Sequence, residues 1–152
     1  MAAATAGRLT DSLSEKKLRR YAPQKASSVI YQGTIVMISA TGYADTGATA
    51  TGSVGAGVAR NNTGLDRWTG GASDGDTNVE YEEGTFKFAN SAAADQITKA
   101  EVGKVCYIVD NQTVAKTDGT GTRSPAGLVA FVDADGGVFV DFDIEKTRQA
   151  TV

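Results

Sequence analysis

The chain has 152 residues, of which 41% are hydrophobic and 22% charged, values typical of one folded domain rather than a disordered chain. It contains no histidine and a single cysteine, Cys106, which excludes Ser–His and Cys–His catalytic pairs, histidine-ligated metal sites and an intrachain disulfide. The net charge of −3 is divided unevenly, because residues 1–27 sum to +4 and residues 28–152 to −7. The start lacks the apolar core of a signal peptide, and no stretch approaches the roughly 20 apolar residues of a membrane-spanning helix. We therefore expect synthesis in a cytoplasm and no membrane partner.

The basic segment 1–27 is predicted to be an arm separate from the body, residues 28–152. Two helical turns over Ser12–Arg20 would be too short to persist alone in water. We therefore expect the arm to stay mobile until it docks on an acidic surface of a partner protein, and the body to fold without it. The side chains expected to carry this docking are Arg8, Lys16, Lys17, Arg19, Arg20, Tyr21 and Lys25.

Two other interpretations of this segment stay open. It could be a solvated chain end without a role. It could also bind nucleic acid, but the acidic body would repel phosphates, so no nucleic-acid partner is expected.

Residues 28–76 are predicted to form strands followed by a long loop. β-Branched residues dominate Val29–Ile38, with Gly33 as the expected bulge or bend. Small residues dominate the stretch 40–58, which indicates a strand, a loop and a second, closely packed strand. The glycine-rich stretch 61–76 is predicted to be a loop, in which Trp68 is either a lid over the core or an exposed contact anchor.

Apolar and polar residues alternate clearly after residue 78. Val79–Glu82 and Thr85–Phe88 flank Glu83-Gly84, which predicts a hairpin turning at that dipeptide. A capping-box spacing in 98–101 predicts one helical turn. Two more hairpins are predicted, pairing Lys104–Val109 with Thr113–Ala115 and Ala126–Val132 with Val138–Ile144.

About eight short strands with at most one short helix predict an all-β protein. Its architecture is expected to be a small antiparallel barrel or sandwich with an extended N-terminal arm. Cys106 is expected to pack as a small hydrophobic residue. No metal site or cofactor is expected, since the alternating oxygens of 74–78 and 133–135 do not match a calcium-binding loop and indicate solvated turns.

One motif is compatible with an enzyme that needs no histidine. Asp45-Thr46-Gly47 resembles the way in which retroviral-type aspartic proteases present their catalytic carboxylate. The residues before Asp45 are small, whereas that resemblance calls for large apolar ones. We therefore interpret the motif as an ordinary turn and predict no catalytic residues.

The order of features across residues 28–143 resembles the capsid cement, or decoration, proteins of tailed phages. The segments that carry the resemblance are Gly33–Val36, Ala40–Ala44, Val54–Val58, Asp74–Val79, Glu83–Ser91, Ile97–Asp110, Ala126–Ala130 and Val138–Val140. The resemblance implies a β-tulip-like domain, a homotrimer, and a place on the outer surface of the virion. There it would bind the major capsid protein and brace neighbouring subunits after the capsid shell has expanded. The other candidate functions are a head-fibre base or tail component, and more distantly an aspartic protease acting through Asp45.

Overall fold

The computed structural model describes residues 2–13 and 18–151, which form eleven strands, two 3₁₀ turns and one helix. The strands are β1 (Leu18–Pro23), β2 (Val29–Tyr31), β3 (Ile35–Ile38), β4 (Ala44–Thr46), β5 (Val54–Ala59), β6 (Arg67–Thr69), β7 (Asn78–Asn90), β8 (Val105–Asp110), β9 (Thr113–Ala115), β10 (Pro125–Val132) and β11 (Val138–Phe142). The 3₁₀ turns are Ala93–Asp95 and Lys99–Glu101, and helix α1 is Ile144–Ala150. The predicted all-β fold is confirmed.

Five of the strands close into a barrel in the order β7-β9-β8-β10-β11, with β11 pairing back to β7. Neighbours are antiparallel except for β7 and β9. Phe86, Phe88 and Phe142 are buried in this core, where the ring centroids of Phe88 and Phe142 lie 5.7 Å apart. The predicted small barrel is therefore present, and an aromatic cluster fills it.

Strand β7 is one long strand and not the predicted hairpin. Its first half turns Tyr81 into a second core, whereas its second half turns Phe86 into the barrel core, on the opposite face. Gly84, with a φ of +145°, lies where the buried residues change face. The prediction of a turn at Gly84 is therefore wrong. The alternation of apolar and polar residues is interrupted where the buried residues change from one face of the strand to the other, and in the sequence such an interruption looks the same as a turn.

The first half of β7 lies in a second sheet, between β1 on one side and β5, β3 and β4 on the other. Strand β5 needs small residues because the barrel approaches it closely: a Cβ added to Gly55 would lie 2.1 Å from the carbonyl oxygen of Ala126. The predicted close packing of this strand is confirmed.

Trp68 is a core residue. It lies in β6, a short strand inside the predicted 61–76 loop, and pairs with Ile30 of β2. Its side chain is 9% exposed and packs in the second core. The interpretation of Trp68 as an exposed contact anchor is therefore wrong. Its burial agrees with the other interpretation, in which Trp68 is a lid over the core. Strand β6 was missed because its partner is distant in the chain and Trp68 is its single large apolar residue.

The remaining local predictions hold with one change. The capping box forms between Thr98 and Glu101, and β8–β9 and β10–β11 are the predicted hairpins. Ile144 does not extend the last strand but begins α1. The side chain of Asp143 accepts a hydrogen bond from the Lys146 N–H at 3.1 Å and caps that helix.

Candidate binding surface

The N-terminal segment follows one edge of β7. We call residues 2–13 and 18–27 the N-terminal strap. Strand β1 pairs antiparallel with β7 from Leu18 opposite Glu83 to Pro23 opposite Asn78. Further along the same strand, the Lys87 N–H donates to the Asp11 carbonyl at 2.9 Å. The predictions of a mobile arm and of a helix over 12–20 are therefore wrong for the described residues, because pairing with β7 outweighs a weak local helical tendency.

In addition to this strand pairing, ion pairs join side chains of the strap to side chains of β7. Arg19 lies 3.0 Å from the Glu80 carboxylate and 3.8 Å from that of Glu82, and Arg20 lies 3.3 Å from that of Glu83. The acidic surface that the sequence assigns to a partner is thus found in part on the same chain. Because the arginines are substantially exposed, each pair contributes only modestly to stability.

The other predicted arm residues have separate environments. Tyr21 is exposed and its hydroxyl donates to Glu80 at 3.3 Å. Lys25 lies 3.5 Å from the carboxylate of Asp45. Lys16 and Lys17 lie outside the described residues.

Asp45 is a residue of strand β4 rather than of a turn. One of its carboxylate oxygens accepts a hydrogen bond from the Thr46 N–H at 2.8 Å. Its ion-pair partner is the cation Lys25.

Buried polar groups hold the strap in place at points that sequence reasoning missed. The buried Asn111 amide donates to the Ala4 carbonyl at 3.0 Å and accepts from the Ala4 N–H at 2.7 Å. The Thr10 hydroxyl donates to the Gly33 carbonyl at 2.6 Å. Gln24 is 1% exposed, and its amide donates to the Trp68 carbonyl at 3.0 Å and accepts from the Thr77 hydroxyl at 3.2 Å. Gln24 also donates to Ser28, four positions away, but the contacts that join Thr10 and Gln24 to Gly33, Trp68 and Thr77 span 23 to 53 positions, and nothing in the local sequence predicts them.

The strap presents apolar side chains to solvent. Leu9 is 98% exposed, and Leu13, Leu18 and Tyr21 are also exposed. Leu65, across a groove of about 230 Å³ from Leu9, is exposed as well. Large apolar side chains that project from a fastened backbone are typical of a protein contact surface. We call Leu9, Leu13, Leu18, Tyr21 and Leu65 the strap surface. Leu9 and Leu65 line one groove, whereas Leu18 and Tyr21 point to opposite faces of the sheet.

Arg8 and Leu9 separate two grooves. The smaller one also contacts Leu65, and the larger one, of about 560 Å³, lies between the strap and the β10–β11 turn. The Arg8 guanidinium lies over the Phe88 ring, 5.2 Å from its centroid. Partial burial lowers the pKa of Arg8, and the nearby charge of Asp11 partly offsets that shift.

Across the larger groove, Lys87 fixes the β10–β11 turn. Its ammonium lies 2.9 Å from the carboxylate of Asp133 and 2.6 Å from that of Asp135. These hydrogen bonds raise the pKa of Lys87 and lower the pKa of both aspartates. The three groups therefore remain charged and paired at neutral pH.

Cys106 is buried in the barrel, where desolvation raises the pKa of its thiol to about 12. Because the thiolate is the reactive form, we expect native protein at pH 8 to react with Ellman's reagent at least about a hundredfold more slowly than protein unfolded in guanidinium. Absorbance of the released thiolate measures both rates. Comparable rates in the two states would contradict this placement.

No family model matches the chain, and neither a curated protein nor a solved structure matches it. In the described part of the chain, no helix is long and apolar enough to cross a membrane. Within that same part, no group of three or more His, Cys, Asp or Glu side chains is arranged to hold a metal ion. The strap surface and the two grooves beside it are therefore the candidate binding sites.

Proposed function

We propose that this protein is a structural virion component that binds the outer surface of a phage capsid and stabilises contacts between major capsid protein subunits. It would act as a homotrimer and without catalysis. The proposal rests on the resemblance across residues 28–143 and on the strap surface. The all-β small barrel agrees with the β-rich domain that the resemblance implies.

The strap surface is the observation that carries the proposal. Its apolar side chains project from a backbone that is already held by β7 and by Thr10 and Gln24. A surface organised before contact loses little conformational entropy on binding. A preorganised surface differs from the expected arm, which would order only on docking. It favours a rigid contact that is repeated at many equivalent sites. At such sites avidity multiplies a modest affinity per copy.

Co-sedimentation with capsid shells of the phage that encodes the protein tests the proposal. We expect the full chain to pellet with expanded shells and not with unexpanded ones, in hundreds of copies per particle. About a dozen copies or fewer would instead indicate a head-fibre base or tail component. Absence from both kinds of shell would contradict the proposal.

Matched variants test the role of the strap surface. The double variant Leu9→Ser and Leu13→Ser removes two apolar contacts, so we expect at least about tenfold weaker binding to expanded shells. Val102→Ser serves as the control because Val102 is also exposed but lies outside the strap. Equal binding by both variants would remove the strap surface from the contact.

A further inference from the structure

Arg8 differs from the other cations of the strap. Arg19, Arg20 and Lys25 each have a carboxylate within 4 Å. The Arg8 guanidinium has neither an ion pair nor a hydrogen-bond acceptor within residues 2–13 and 18–151. Its N–H donors are thus held beside the larger groove without an acceptor from the described part of the chain.

The position of this guanidinium is set by the fold. The Arg8 N–H donates to the Gln32 carbonyl at 2.7 Å, which fixes the backbone, and the guanidinium carbon lies over the buried Phe88 ring, 5.2 Å from its centroid. A contact with an aromatic face uses none of the N–H donors of a guanidinium, so they remain available for a planar, bidentate partner. Leu9, the next residue, is almost fully exposed and lines the same groove.

The opposite wall of the groove does not supply the missing acceptor. Asp133 and Asp135 both contact Lys87, so their charges are partly compensated. Asp11 acts on Arg8 only through space and its carboxylate is solvent-exposed. The three aspartates would repel a run of acidic residues, which favours a ligand with one carboxylate rather than several.

We infer that the larger groove binds an extended segment of a partner protein through one carboxylate, held by the Arg8 guanidinium, with an adjacent apolar side chain packed on Leu9. This inference deepens the proposed function and rests on it only in naming the partner as a capsid subunit. A bidentate arginine–carboxylate pair is stronger than a neutral hydrogen bond and fixes the orientation of the segment. The apolar contact then adds to the affinity.

A titration followed by NMR tests this recognition in the full-length ¹⁵N-labelled protein. The probe is the capped peptide acetyl-Gly-Ser-Glu-Leu-Ser-Gly-amide, and its matched control carries Gln in place of Glu. We expect the Arg8 side-chain Nε–H and the amides of Leu9, Asn90 and Gly136 to shift with the Glu peptide. Affinity for the Gln peptide should be about tenfold lower, because a charged hydrogen bond is lost.

Variants separate the role of Arg8 from a general charge effect. Arg8→Gln should abolish the difference between the two peptides, and Arg8→Lys should retain only part of it. Asp11→Asn should tighten binding of the Glu peptide, since it removes the competing carboxylate. Arg148→Gln is the matched control, because Arg148 is an exposed arginine that lines a different groove of about 400 Å³.

The outcomes distinguish this inference from the proposed function. Equal affinity for the two peptides, or shifts confined to the groove at Arg148, would overturn the inference even if the wild-type chain binds capsid shells. Glu-selective binding that depends on Arg8 would support the inference even if shells bind no protein, and in that case the proposed function alone would fail.

Discussion

Deletion of residues 1–27 is expected to destabilise the rest of the chain by more than about 3 kcal/mol. The deletion removes strand β1, which pairs along β7, together with the buried Ala22 and Gln24. Without Gln24, the Trp68 carbonyl loses its side-chain donor in a buried environment. The exposed edge of β7 should also promote association between chains. This expectation reverses the one from sequence, in which the body folds without its N-terminal segment.

Urea denaturation followed by circular dichroism measures the effect. Deletion of residues 1–3 is the control, because it leaves β1, Thr10 and Gln24 in place together with Ala4, whose backbone bonds the buried Asn111 side chain, and it should cost less than about 1 kcal/mol. If the chain that lacks residues 1–27 unfolds at the same urea concentration as the full chain, the strap is an appendage and not part of the fold.

Phe142→Ala is expected to lower the free energy of unfolding by about 3–5 kcal/mol. Phe142 is 1% exposed and its ring packs edge-on against Phe88 and at a tilt against Phe86. Removing the ring leaves a cavity at the centre of the barrel that the closed sheet cannot collapse to fill. Urea denaturation gives the loss directly.

Phe131→Ala is the matched control for this substitution. Phe131 lies on the neighbouring strand β10, but its side chain is 48% exposed, so we expect a loss below about 1 kcal/mol. Similar losses for the two variants would mean that the aromatic cluster does not form the centre of the barrel.

In the proposed attachment to a capsid shell, a strap that is already held by the fold changes what determines the affinity. An arm that orders on binding makes affinity depend on the entropy of ordering, whereas a preformed surface makes it depend on contact chemistry. The strap surface supplies apolar contacts and Arg8 supplies a cation without a partner among the described residues. Substitutions of single exposed side chains should therefore alter binding without altering the fold.

Properties that depend on composition and near neighbours could be read from the sequence. The all-β class follows from β-branched residues and glycine turns, and the β8–β9 and β10–β11 hairpins follow from short loops between alternating runs. The capping box of Thr98 and Glu101 is likewise a local pattern. Each involves partners close in the chain, where the pattern itself specifies the contact.

Properties that depend on distant partners were decided by the tertiary structure alone. The strap is part of the fold because β1 pairs with β7, 55 to 65 positions away, and because Gln24 bonds buried partners. Trp68 is buried because β2 and β6 pair across the predicted loop. Strand β7 continues through Gly84 because each half has its own core on an opposite face. A one-dimensional pattern records which residues are apolar or charged, but the identity of the surface that covers them is fixed only when remote strands pack together.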